Sequence, residues 1–183
     1  MDGVGRPNST VVVIVGEQAG RVVAALDGLA NVRAVPHAAG DDGGRRVREA
    51  AAQSHAAYVV HDLDPLAGVG AAWAGFFDGT APTGTLEVAV EAALSALRTE
   101  ASALPDYYVV LDPDGLGDTA KHWWFGVLAG ASPNRVVPAA PSAAAVRDLL
   151  AGLHSGRWWP DPPDQWLRGL GGVVPDRAPL SAG

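Results

Sequence analysis

The sequence predicts a doubly wound α/β domain: a mostly parallel, five-stranded sheet with helices on both faces, of Rossmann-like or flavodoxin-like kind. Three observations predict it. Short runs rich in β-branched and aromatic residues recur along the chain, and the first, Thr10 to Val15, is apolar throughout, as a strand buried on both faces of a parallel sheet must be. Helical apolar stripes stand between these runs, so that strand and helix alternate five times. Gly, Pro and Asp close the runs, and these residues turn a chain out of a strand.

Residues 1 to 9 read as a leader. Thr10 to Val15 is the first strand and stops at Gly16, after which Val22, Val23, Leu26 and Leu29 make a helical stripe. Val32 to Val35 is the second strand, closed by Pro36. A turn at Asp41-Asp42-Gly43-Gly44 leads into a polar-faced helix from Arg45 to His55. Ala57 to Val60 is the third strand, ending at His61-Asp62-Leu63-Asp64-Pro65. Leu66 to Pro82 carries Trp73, Phe76 and Phe77 among glycines and alanines, and reads as a loop packed back on the body with room for a short helix.

The central helix follows. Leu86, Val90, Ala93, Leu94 and Leu97 form one face of a 3.6-residue period, and the helix is expected to reach about Leu104. Thr83, Gly84 or Thr85 serves as its N-cap, with Glu87 in the first turn. Tyr107 to Leu111 is the fourth strand, followed by an Asp112-Pro113-Asp114-Gly115 turn and a helix from Asp118 to Ala129. Arg135 to Pro138 is the fifth strand, and Ser142 caps a helix through Leu153. Residues 10 to 175 are expected to form one domain, with the Trp- and Pro-rich segment 156 to 175 packed on it and a mobile tail from 176 to 183.

Composition excludes several function classes. A chain of 183 residues, 48 % hydrophobic, can bury one core and is short for two. A net charge of −7 argues against nucleic acid as partner. With no cysteine there are no disulfides, thiolate metal ligands or cysteine nucleophiles, which fits the cytoplasm. The N-terminus lacks the pattern of a signal peptide, and no apolar run approaches the roughly 20 residues that cross a bilayer, so no membrane is expected. The histidines show no metal-ligand spacing, and no cofactor is expected. Trp123-Trp124, Trp158-Trp159 and Trp166 read as core or packed segment, or alternatively as a homodimer surface.

Parallel strands all point their C-terminal ends one way, and ligands bind beyond that edge. This rule gathers scattered residues into one neighbourhood. Gly16 follows the first strand, Asp62 and Asp64 the third, Asp112 and Asp114 the fourth. The Thr83–Glu87 helix start comes between the third and fourth strands, and its free N–H groups and helix dipole suit a phosphate. Each group also has a plainer reading. Gly16 and Gly20 make a tight turn, Asp62, Asp64, Asp112 and Asp114 are ordinary turn acids, and Glu87 is an acid favoured near a helix N-terminus.

Pro82-Thr83-Gly84-Thr85-Leu86-Glu87, followed by an apolar helix and a new strand, resembles a motif of the SLOG superfamily. Its lonely-guy or lysine-decarboxylase-like branch carries Pro-Gly-Gly-x-Gly-Thr-x-x-Glu, and its nucleoside 2-deoxyribosyltransferase branch a Gly-Thr-x-x-Glu whose glutamate attacks the sugar. In this chain the glutamate comes one residue earlier, and the phosphoribohydrolase glycine loop and arginine motif are absent. The resemblance covers roughly residues 56 to 153. It implies a site that holds a nucleotide or phosphosugar at Thr83, Gly84 and Thr85, with Gly16, Asp112 and Asp114 nearby. Glu87 would act on the sugar carbon, and Asp62 or Asp64 would protonate the leaving base, the acid–base pairing of N-glycoside hydrolysis or transfer. A second stretch, Val59 to Gly68 with Val136 to Ser142, looks like a response-regulator receiver, but it lacks the lysine before the closing proline and the acidic pair after the first strand. The expectation is a nucleotide- or phosphosugar-binding domain, with an N-glycosidic activity or, as the alternative, a non-catalytic sensing or scaffold module.

Overall fold

Five strands form one all-parallel sheet in the computed structural model, which describes residues 9–37, 42–154 and 159–175. They are β1 (Thr10–Val15), β2 (Val32–Val35), β3 (Tyr58–His61), β4 (Tyr107–Leu111) and β5 (Val136–Ala139), in the order β2-β3-β1-β4-β5. Every residue of β1 and β4 is buried, which explains why both are apolar at successive positions rather than alternate ones. β3 lies beside β1 and sends β2 to the edge, whereas β2 is next to β1 in the commonest doubly wound orders. The register sets Val35, His61, Val13, Tyr108 and Val136 in one row across the sheet.

The helices are α1 (Ala19–Ala25), α2 (Gly43–Gln53), α3 (Ala67–Phe77), α4 (Thr85–Arg98), α5 (Asp118–His122), α6 (Ala129–Ala131), α7 (Ala143–Leu150) and α8 (Asp164–Arg168), with a π-helical turn, Trp123–Leu128, between α5 and α6. Strand order dictates their faces. The chain steps one way from β1 to β2 and the other way at each later crossover, so connections of a single hand put α1 on the opposite face from the other crossover helices. Packing agrees. Val22 and Val23 of α1 and Leu26 just after it meet Val146 and Leu150 of α7 over Val12, Ile14 and Val109. On the other face α2 covers Val11 and Val59, while α3, α4 and the π-helical turn cover Val13, Val15, Tyr108 and Val110.

Several elements differ from the sequence reading, α3 and the end of α4 most of all. The stretch read as a loop, Leu66 to Pro82, holds an eleven-residue helix, α3. Its face is aromatic and small rather than aliphatic: Val69, Gly70, Ala72 and Trp73 are buried, a stripe that alanine-rich flanks hide from periodicity. α4 ends at Arg98 rather than near Leu104. Thr99 turns its hydroxyl back to the Ser95 carbonyl (2.9 Å), Glu100 adopts a left-handed φ of 55°, and the Ser102 N–H closes on Ala96 O (3.1 Å). β5 runs from Val136 through Pro138, which an edge strand tolerates because one row of its N–H groups has no partner strand.

The segment after β5 completes the second face. Leu167 and Leu170 join the cluster of Trp73 and Leu94, and the Trp73 indole N–H donates to Leu170 O (3.2 Å). Trp159 donates to Pro105 O (2.7 Å), and Arg168 grips Glu91 (2.7 Å). Trp123, Trp124, Trp159 and Trp166 therefore belong to or pack against this core, whereas Trp158, the leader 1–8 and the tail 176–183 lie outside the described residues. Among the described residues no helix is long and apolar enough to cross a membrane.

Candidate functional site

The C-terminal edge of the sheet brings three of the expected groups together. Gly16 leaves β1 with φ of +126°, a conformation L-residues with side chains rarely adopt, and a Cβ there would stand 3.0 Å from Leu111 Cβ at the end of β4. Asp62 follows β3. Its Oδ1 accepts the His37 N–H (2.7 Å), tying the end of β2 to the end of β3, and its Oδ2 lies so close to α1 that a Cβ on Gly20 would be 2.9 Å away. Asp112 follows β4 in a left-handed conformation, φ 46°, with its backbone N–H bonded to Ala139 O (3.0 Å). The turn after β1 is thus flanked by the ends of β3 and β4, as the edge rule requires. Asp112 and Asp114 are exposed, Asp114 in the short 3-10 turn Pro113–Gly115.

Asp64 lies apart from them. The chain after His61 folds back over the second face, and Asp64 Oδ1 accepts both the Leu66 N–H (2.8 Å) and the Tyr108 hydroxyl (2.9 Å). The first bond starts α3 and the second fastens it to β4. Burial raises the Asp64 carboxyl above its ordinary value. Burial, with the Asp64 charge next to it, raises the Tyr108 phenol well above its own. His61, the last residue of β3, is buried on the same face, and burial lowers its pKa from 6.5 to about 4. Its Nδ1 accepts the Leu63 N–H (3.3 Å), so the neutral ring carries its proton on Nε2.

The start of α4 is open. Gly84 is the N-cap, with a left-handed φ of 87° and no side-chain cap. Thr85 satisfies itself, its N–H and hydroxyl both donating to Pro82 O (3.2 and 2.8 Å). Among the described residues, the N–H groups of Leu86 and Glu87 have no bonded acceptor. Thr83 and Glu87 are exposed. The loop before α4 is moored elsewhere: Thr80 and Ala81 bond back to Gly75 O, and Asp78 accepts from Thr119 in α5 (2.7 Å). Among the described residues no hydrogen bond joins Thr83, Gly84, Thr85 or Glu87 to Asp62, Asp64, Asp112 or Asp114.

No family model, curated protein or solved structure matches this chain.

A cleft of about 1110 Å³ opens on the second face between α2 and the segment that links α4 to β4, with Val11 and His61 of the sheet among its lining and Trp159 on one wall. None of Gly16, Asp62, Asp64, Thr83, Gly84, Thr85, Glu87, Asp112 or Asp114 lines it. The sequence carries only a faint signal for it. Val47 and Ala51 mark the apolar side of α2, but nothing in the pattern says that α4 stands far enough off to leave a gap. Among the described residues no three His, Asp or Glu side chains are grouped to hold a metal ion.

Proposed function

We propose that this chain is a non-catalytic binding or scaffold module built on a doubly wound sheet. One observation supports the reading: the two acids expected to protonate a leaving base are engaged by the fold itself, Asp62 by the His37 N–H and Asp64 by Leu66 N–H and Tyr108 OH. A general acid must exchange its proton with a leaving group, and an Oδ1 that already accepts two internal donors is a poor instrument for that.

Asp64 separates the two roles experimentally. Asp64→Ala is expected to cost about 2–3 kcal/mol, because a buried phenol and a helix-starting N–H lose their acceptor together. Asp64→Asn keeps an acceptor oxygen and is expected to stay within about 1 kcal/mol of the parent. Urea unfolding of both variants measures this. Release of free base from nucleoside monophosphates by the parent chain, abolished alike by Asp64→Asn and Glu87→Gln, would sink the non-catalytic reading.

A second reading is supported by the α4 start. Two unpartnered N–H groups behind a left-handed glycine suit the phosphate of a nucleotide or phosphosugar, in keeping with the resemblance of Pro82–Glu87 to the SLOG motif. In this reading nucleoside monophosphates raise the melting temperature of the parent chain. Absence of any shift at millimolar nucleotide removes it.

A further inference from the structure

The chain has no cysteine and its one methionine is Met1, so past the first residue it holds no thiol or thioether to be oxidised. Five of its six tryptophans instead stand in one unbroken row with Tyr108. Ring centroids are 5.7 Å apart from Trp73 to Trp123, 6.4 Å from Trp123 to Trp124 and 5.4 Å from Trp124 to Tyr108. The row goes on at 5.9 Å from Tyr108 to Trp159 and 5.7 Å from Trp159 to Trp166. Every step is an aromatic contact. Trp73, Trp123 and Tyr108 are buried, whereas Trp124, Trp159 and Trp166 are half-buried, so the row joins the surface to the sheet.

Electrons pass readily between aromatic rings in contact, because electronic coupling falls off steeply with distance. An indole or phenol that has lost an electron is a strong acid, and the radical settles where its proton finds a base. The members of the row differ in this respect. The indole N–H groups of Trp73 and Trp159 donate to peptide carbonyls, Leu170 O (3.2 Å) and Pro105 O (2.7 Å), which are too weak as bases to keep a proton. The Trp123 indole N–H is buried with no partner among the described residues. Tyr108 alone in the row gives its hydrogen to a carboxylate, Asp64 Oδ1 (2.9 Å). Burial raises the Asp64 carboxyl above its ordinary value, so taking a proton relieves the cost of its charge. Tyr107, on the opposite face, is placed otherwise. Its hydroxyl donates to His154 O (2.8 Å), and the Arg135 guanidinium lies 4.5 Å from its ring centroid, a cation that opposes removal of an electron.

We propose that this row is a redox relay: an inorganic one-electron oxidant, of the carbonate-radical class, takes an electron at the half-buried tryptophans, and the vacancy comes to rest on Tyr108 as a neutral phenoxyl radical while Asp64 takes the proton. The step balances. The oxidant gains one electron, the Tyr108 O–H bond breaks, an O–H bond forms on Asp64 Oδ1, and the pair passes from one negative charge to none. The engagement that makes Asp64 a poor acid toward a leaving group makes it a ready base toward the phenol it already touches. The relay uses neither the strand ends nor the α4 start, so it is independent of nucleotide binding.

The test is pulse radiolysis of the whole chain with the azide radical, which oxidises indoles before phenols. The indolyl absorption is expected to decay as the sharper phenoxyl band rises, at a first-order rate that does not change with protein concentration. Tyr108→Phe should remove the rise and leave a long-lived indolyl radical. Asp64→Asn keeps an acceptor for the phenol but no base, and should slow the rise roughly a hundredfold, as loss of a positioned proton acceptor does. Tyr107→Phe should leave the rise as it is in the parent. Near-ultraviolet circular dichroism checks that each variant is folded, and if Tyr108→Phe is not, Asp64→Asn decides the matter. The proposal is overturned by any of four results: no phenoxyl rise, a rise whose rate scales with protein concentration, a rise that survives Tyr108→Phe or vanishes in Tyr107→Phe, or a rate indifferent to Asp64→Asn. No nucleotide takes part, so failure here leaves the base-release result untouched, and the reverse.

Discussion

On one face of the sheet Val12, Ile14 and Val109 lie under α1 and α7 in a single apolar cluster, whereas on the other Val11 and Val59 are separated from Val13 and Tyr108 by a cleft, with His61 in its lining and Asp64 and Tyr108 bonded nearby. Both faces are made by the same β-branched strands, so strand sequence does not account for the difference. The covering elements do. Two helices suffice for the first face. The second takes every crossover after β2 together with the C-terminal segment, and its helices pair with one another as well as with the sheet, α3 against α4 and α4 against α8. Where a helix packs on a helix, it stands off the strands, and the floor beneath is left to polar groups and empty volume.

The largest expected effect tests how much stability sits on the divided face. Trp73→Ala removes a fully buried indole and the donor to Leu170 O, and is expected to cost about 3–5 kcal/mol in urea unfolding. Leu26→Ala, equally buried on the continuous face, should cost about 3 kcal/mol. If Leu26→Ala were the more damaging, the weight of the fold would lie on the α1 side and the comparison would be reversed.

A smaller effect sharpens the polar contrast. The folded chain holds His61 neutral down to about pH 4, while the unfolded chain takes up the proton near the ordinary value of 6.5. The stability tied to this depressed pKa is therefore intact above about 6.5 and is lost as the pH falls to about 4, a loss of roughly 3 kcal/mol. Asp64, whose pKa is raised, acts with the opposite sign: its contribution favours the fold at low pH and fades as the pH rises past the ordinary carboxylate range. Denaturation of the parent and His61→Gln between pH 7 and pH 4 should show the variant losing about 3 kcal/mol less. Parallel curves would mean that His61 is not the group that makes this face acid-sensitive.

Glu87→Gln is expected to change stability least, within about 0.5 kcal/mol, because the side chain is exposed and has no partner among the described residues. A larger loss by thermal denaturation would show that the α4 start is braced by its carboxylate rather than open to a ligand.

Much of the fold was legible in the chain because its strands are apolar at successive positions and its crossovers carry ordinary stop signals. Thr10–Val15 and Tyr107–Leu111 stand where they were expected, and Ser142 caps α7 through its hydroxyl, which accepts the Ala145 N–H (3.2 Å). α3 was not legible, since a buried face of glycine, alanine and tryptophan has no 3.6-residue contrast against an alanine-rich background. Candidate acids could be named, but what their oxygens touch could not. Asp64 looks like a turn residue beside Asp62 in the sequence, and only the backward fold after β3 sets it against Tyr108, 44 positions away.

By itself the sequence determined a parallel sheet, the edge at which its strands end, and the Thr83–Thr85 stretch that opens α4, because hydrophobic period, turn chemistry and capping are written within a few neighbouring residues. Tertiary structure alone decided that β3 rather than β2 lies beside β1, that Asp62 and Asp64 serve the fold, and that a cleft divides the core over His61. Those are contacts between residues far apart in the chain, fixed by how whole helices share a surface, and no local pattern records them.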